Sequence, residues 1–168
     1  AGNINIPSII NGGGGDDHLN GGAGSNVILG GAGDDMIIGG SGRDILIGGT
    51  GIDRIIGGPG QDIITGDATV YESDSAADLL VNTAALLAIQ QEWNADIPQA
   101  ERQANLSDDG AYSSRFNDDF FIRLGQDIID DGDEDKLTGS SNEDWFLLST
   151  GDSLTGSSSS NGNGKGKK

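Results

Sequence analysis

Six oxygen-bearing side chains recur at intervals of nine: Asp17, Asn26, Asp35, Asp44, Asp53 and Asp62. Acid–base catalysis needs two carboxylates made unlike by their surroundings, and an evenly spaced row sets no pair apart. A row of carboxylates is instead a set of ligands for hard cations. Two residues after each of them stands an aliphatic side chain: Leu19, Ile28, Ile37, Leu46, Ile55 and Ile64. A glycine-rich run precedes each, so the chain reads "GGGGDDHLN", "GGAGSNVIL", "GGAGDDMII", "GGSGRDILI", "GGTGIDRII" and "GGPGQDIIT", starting at Gly12, Gly21, Gly30, Gly39, Gly48 and Gly57.

A unit this short cannot bury its own apolar side, so the period predicts a solenoid. Each unit divides into a glycine turn and a three-residue strand. Side chains alternate along a strand, so the uniformly aliphatic eighth position faces inward and the seventh and ninth face outward. Two units complete a coil, and coils stack as parallel strands about 4.8 Å apart. Asp17, Asp35 and Asp53 then form one column, and Asn26, Asp44 and Asp62 a second. Carboxylates about 5 Å apart repel by roughly 1 kcal/mol even in water. The columns therefore call for a cation. The ligands on offer are all oxygen, from carboxylates and turn carbonyls, and a cage of six to eight such oxygens suits calcium better than magnesium. A flexible linker would not hold aliphatics at one position, and a metal-free solenoid would stack like charges.

The pattern G-G-x-G-x-D-x-U-x, in six tandem copies, resembles the RTX (hemolysin-type) calcium-binding repeat. The resemblance implies a parallel β-roll with calcium between turns n and n+2, export by type I secretion, and folding outside the cell. By position it implies sites between Asp17 and Asp35, Asp35 and Asp53, Asn26 and Asp44, and Asp44 and Asp62. Carbonyls of Gly30, Ala32, Gly39, Ser41, Gly48, Thr50 and Gly57 would complete them. Neutral Asn26 departs from the pattern and marks the weakest site. Asp67, after Gly66, sits off register.

The bulk composition agrees with a cation binder. The 168 residues carry 27 acidic and 9 basic side chains, a formal charge of −18, which argues against nucleic acid and anionic membranes as partners. Thirty glycines and 5% aromatic residues leave little for an ordinary core, and the lack of cysteine excludes disulfides and thiolate sites. No apolar run is long enough to span a membrane as a helix. The chain opens on Ala1, which reads as a processed chain or a piece of a longer one. His18, the lone histidine, falls on an outward strand position, so no catalytic role is expected.

The outward positions of alternate units, Val27, Leu29, Ile45, Ile47 and Ile63, make an apolar sheet face. It must be covered, either by the C-terminal half of this chain or by a partner: self-association, or an upstream domain of the same protein. "SAADLLVNTAALLAIQQEW" predicts a helix over about 75–93, started by a Ser-x-x-Asp box, and is the candidate cover. A shorter helix is expected over about 97–105, capped by Asp96 with Pro98 in its first turn. "DDFFIRL" (Asp118 to Leu124) reads as a strand. Within 130–147, "DDGDEDKLT" and "GSSNEDWFL" align as two worn units, with Asp135 and Asp144 in the sixth position and Leu137 and Phe146 in the eighth. Asp133, Asp135 and Asp144 are accordingly candidate ligands of a second calcium segment; the plainer alternative is a solvated acidic loop over Trp145 and Phe146. The segment is not an EF-hand, because Lys136 replaces the obligatory glycine. This half also looks like the C-terminal region of some large secreted bacterial RTX-type proteins.

The expected organisation is mainly β: a lead-in strand over 1–11, a parallel β-roll (a calcium-binding β-solenoid) over 12–67, an α-helical and irregular cap over 68–156, and a disordered tail over 157–168. The expected function is a non-catalytic, secreted calcium-binding module that folds on calcium. The alternatives are a structural subunit or cap of an extracellular fibre, adhesin or surface layer, and a stabilising module for a separate enzyme.

Overall fold

The structure is a computed structural model that describes residues 8–72, 76–108, 115–117, 120–140 and 143–155, with side chains of the first helix described from residue 83. The expected tail, the proposed cap Ser75, and Asp118 and Asp119 of the expected strand lie outside the described residues.

The fold is mainly β, with its strands running parallel in two sheets. The first sheet holds β1 (Ile9–Gly14), β3 (Val27–Ala32), β5 (Ile45–Thr50), β7 (Ile63–Thr69) and β10 (Trp145–Phe146), in that order. The second holds β2 (His18–Asn20), β4 (Met36–Ile38), β6 (Arg54–Ile56), β9 (Lys136–Thr138) and β11 (Ser153–Thr155). Their register is set by the repeat: Ile28 pairs with Leu46 and Leu46 with Ile64 in one sheet, Leu19 with Ile37 and Ile37 with Ile55 in the other. Each step is two units.

The eighth-position side chains meet between the sheets. Ile28, Ile37, Leu46, Ile55 and Ile64 are fully buried there with Leu137 and Phe146. The last two come from the worn units, which rejoin the sheets after a long excursion: Leu137 pairs with Ile55, and Phe146 with Ile64.

The excursion covers the outer face of the first sheet. It includes α1 (Ala76–Trp93), α2 (Gln99–Ser107) and β8 (Ile128–Ile129), which pairs antiparallel with β7. Leu86, Ile89 and Trp93 of α1 and Leu106 of α2 form one buried cluster with Val27, Leu29, Ile45, Ile47 and Ile63. Arg102 lies over the Trp93 ring, 4.9 Å from its centroid, and Trp93 donates its indole N–H to Gln61 O at 2.7 Å. These contacts correct the partner reading. The five aliphatics are at most 4% exposed within this one chain, so they offer no surface for self-association or an upstream domain. The outer face of the second sheet stays open: His18, Asn20, Arg54 and Lys136 are exposed on it.

Two local expectations fail. Pro98, not Asp96, precedes the first turn of α2, and no side chain caps it. Residues 120–123 form no strand; Phe120 and Ile122 instead donate their N–H groups to Asn117 O and Leu106 O, each at 2.9 Å, and Leu124 makes an isolated bridge to Ile128. Alternation of apolar residues here serves packing against the helices rather than a ladder.

Candidate metal centre

The glycine turns bring the sixth-position side chains into two columns. In one, Asp17 N–H donates to Asp35 Oδ1 at 2.7 Å, Asp35 N–H to Asp53 Oδ1 at 2.8 Å, and Asp53 N–H to Asp135 Oδ1 at 2.7 Å. In the other, Asn26 N–H donates to Asp44 Oδ1 at 2.7 Å, Asp44 N–H to Asp62 Oδ1 at 2.9 Å, and Asp62 N–H to Asp144 Oδ1 at 3.0 Å. Each aspartate thus uses one oxygen to receive the coil before it.

In Asp144 the other oxygen accepts Ser140 N–H at 2.8 Å; in the rest it has no partner. Oδ2 of Asp17, Asp35, Asp44, Asp53, Asp62 and Asp135 is buried and accepts no hydrogen bond. A buried unsatisfied polar atom costs about 1–3 kcal/mol, and a charged one more. Six of them rival the ~5–15 kcal/mol net stability of a whole domain.

These oxygens are aimed at the first glycine of each unit. A Cβ on Gly39 would come within 2.6 Å of Gly57 O and 2.8 Å of Asp44 Oδ2. Gly12 is bounded in the same way by Asp17 Oδ2 and Gly30 O, each at 2.6 Å. Gly30 lies between Asp35 Oδ2 and Gly48 O, and Gly48 between Asp53 Oδ2 and Gly66 O. Glycine is required here for close approach, whereas the second and fourth glycines, such as Gly31 (φ 109°) and Gly33 (φ 130°), supply the positive φ of the turn. The result is a row of oxygen-lined cradles, each holding an unpartnered carboxylate oxygen and a turn carbonyl. A hard cation fits that donor set.

Residues 11–46 and 38–68 match the family model of the RTX calcium-binding nonapeptide repeat (4 copies). That tract, about a third of the chain, is similar to an array of RTX repeats. No curated protein and no solved structure matches the chain.

Burial governs the electrostatics of the two columns. It pushes Asp53 and Asp62 up to about 8 and Asp44 to about 6, each eased by the backbone N–H it accepts. Asp135 rises to about 7 from burial and from the neighbouring Asp152, Asp131 and Asp67. Asp35 and Asp144 are raised as well, again mainly by burial.

The other sequence candidates divide. Carbonyls of Gly30, Gly39, Gly48 and Gly57 reach the cradles or their rim, the last also accepting Gly40 N–H at 3.1 Å. Those of Ala32, Ser41 and Thr50 accept N–H groups from Gly15, Gly24 and Gly33 at 2.7–2.8 Å, zipping neighbouring turns together. Asn26 offers the cradle at Gly21 an amide Nδ2, which donates to Gly24 O at 2.9 Å and Asp44 Oδ1 at 3.1 Å, while its Oδ1 accepts from Ser8 Oγ at 2.7 Å. The amide satisfies itself where an aspartate would not. Asp133 is exposed and outside the carboxylate groups that converge among the described residues.

Three members were missed. Ser8 occupies the sixth position of a worn unit, "NINIPSIIN", whose Ile9 and Ile10 pair with Val27 and Ile28. Gly66 supplies a cradle carbonyl. Asp152 continues the first column, accepting Asp135 N–H at 3.4 Å, while Leu154 pairs with Leu137. Its signal was the Gly-Asp-x-Leu of "TGDSLTG", disguised by a step of 17 residues instead of 18.

Proposed function

We propose that this chain is a calcium-binding RTX module, a parallel β-roll that folds when calcium enters its cradles and so stabilises an exported, extracellular protein. The observation that carries this reading is the set of buried, unpartnered Oδ2 atoms facing turn carbonyls. Asp17, Asp35, Asp53 and Asp135 would hold calcium along one column, and Asp44 and Asp62 along the other. The ion supplies positive charge to oxygens that nothing else among the described residues neutralises. Binding free energy then becomes folding free energy. Without it, a chain of charge −18 and thirty glycines has too little to offset its ordering entropy. Folding would therefore be deferred until calcium is plentiful, as it is outside cells. The role is non-catalytic: the only histidine, His18, is exposed on the open sheet.

The test is far-UV circular dichroism on chelator-stripped protein, titrated with calcium and then magnesium. A coil-to-β transition driven by calcium at up to millimolar concentration, and not by magnesium, is expected. Full β structure at neutral pH under chelator would overturn the mechanism, and equal folding in magnesium its calcium specificity.

A further inference from the structure

The array is interrupted once. Column spacing is 18 residues up to Asp53 and Asp62, then jumps to 82 at Asp135 and Asp144. Gly66 faces Asp135 Oδ2 as Gly48 faces Asp53 Oδ2, so the excursion splits a single unit just beyond Gly66. Five carboxylates meet at this seam. Oxygens of Asp67, Asp135 and Asp152 lie within 4.8 Å of one another, and so do those of Asp67, Asp130 and Asp131.

Asp67 is the unusual member. It stands in register with Gly49, so it takes the place of a second-position glycine rather than a sixth-position aspartate. It is fully buried. Among the described residues its donors are hydroxyls: Ser149 Oγ at 2.5 Å and Thr65 Oγ1 at 3.3 Å. Ser149 Oγ also lies 3.3 Å from Asp152 Oδ2, which accepts Ser149 N–H at 2.9 Å, so the one hydroxyl proton is shared between two carboxylates. Asp135 Oδ2, on a wholly buried residue, has no partner and points at Gly66, next to Asp67. Among the described residues, ion pairs are made by Arg115 and Arg123 with Asp108 and Asp127, and none reaches these five acids. The seam thus gathers negative charge from three chain segments, and no ion pair among the described residues balances it.

We propose that Asp67, Asp135 and Asp152 hold a further divalent cation of the calcium class, which fastens the returning chain to the last uninterrupted coil. Asp130 and Asp131 form the outer wall of that site. They are anchored by backbone donors: Thr150 N–H to Asp130 Oδ2 at 3.4 Å and Gly51 N–H to Asp131 Oδ2 at 3.0 Å. The segment that follows provides β9 and β10, so the cation fixes both ends of the excursion that covers the first sheet. Asp135 and Asp152 are sixth-position members of the first column; Asp67, at a second position, is what sets this site apart.

Calcium bound per chain would be counted by isothermal titration and by metal analysis after dialysis, on the full chain. Asp67→Asn and Asp152→Asn are each expected to lose one ion while keeping the calcium-driven β transition; Asp133→Asn should keep the full count. An unchanged count in Asp67→Asn overturns the site. Should that variant fail to reach the β-rich state at saturating calcium, Asp67→Gly, which restores the second-position residue of the repeat, carries the test with the same two outcomes. Asp44→Asn separates this site from the columns. Loss in Asp44→Asn without loss in the seam variants leaves the columns standing and removes the seam site. Loss in the seam variants alone does the reverse.

Discussion

At the residue scale, the first glycine of each unit and the sixth aspartate act as one device. Gly39 has an ordinary φ, so alanine there strains no backbone; it only fills the cradle between Gly57 O and Asp44 Oδ2. Gly39→Ala should cost roughly 1–3 kcal/mol, the usual range for overpacking, and should raise the calcium midpoint. Denaturation in calcium and a calcium titration would measure the two effects. A stability loss with an unchanged midpoint would detach the glycine from the cation. The same device sets the pH response. Asp53 and Asp62 titrate near 8 and Asp44 near 6 in the folded chain, against an ordinary 3.8. An acid raised by folding destabilises the fold while ionised. That penalty is full above the folded value and is relieved as pH falls through it towards 3.8. Calcium-free protein is therefore expected to gain stability and β structure between pH 9 and pH 5, seen by thermal melts followed by circular dichroism. Asp62→Asn should flatten this dependence more than substitution of exposed Asp16. Stability that instead rises with pH would contradict the buried, unpartnered state of the columns.

At the element scale, the two sheets and their cover differ in how legible they are. A nine-residue period with an aliphatic eighth position determines the strands, the two-unit coil and the inner core, because each is a local consequence of turn and alternation. The worn units were readable for the same reason: Leu137 and Phe146 kept the eighth position although most of the glycines were lost, Gly139 alone keeping the first position. The step of 17 residues hid β11, and residues 120–123 misled because alternation is shared by strands and by extended segments packed on helices. The cradles follow from the period only in outline; that Asn26 would satisfy its own amide depends on Ser8 and Gly24, which no spacing rule names. The cover was readable as a helix with apolar residues, but its docking depends on tertiary contacts such as Trp93 with Gln61. Ile89 sits wholly buried between α1 and the first sheet. Ile89→Ala should cost about 2–5 kcal/mol in calcium, read by denaturant unfolding followed by tryptophan fluorescence, since Trp93 and Trp145 stack in the same cluster with centroids 5.8 Å apart. A loss below 1 kcal/mol would mean that the helix is only loosely seated.

At the scale of the whole molecule, charge and cover together fix the size in solution. On the proposed function, the calcium-free chain carries a formal net charge of −18 and leaves its solenoid core exposed, both of which favour expansion. On that reading, calcium would neutralise the columns from within, and the excursion would then bury the apolar face that could otherwise join two copies. The second sheet's open face presents Arg54, Lys136, His18 and Asn20 among its aliphatics, a polar mixture that disfavours stacking. A single chain is therefore the expected end state. For 168 residues the radius of gyration should fall from about 43 Å unfolded towards about 15 Å compact. Small-angle scattering across a calcium titration, with sedimentation velocity at both ends, measures both quantities. Contraction to a monomer whose mass is constant over a hundredfold range of concentration is expected. A calcium-dependent dimer would require a contact outside the covered face and would revive an assembling role for the open sheet or for the edge strands β1 and β2.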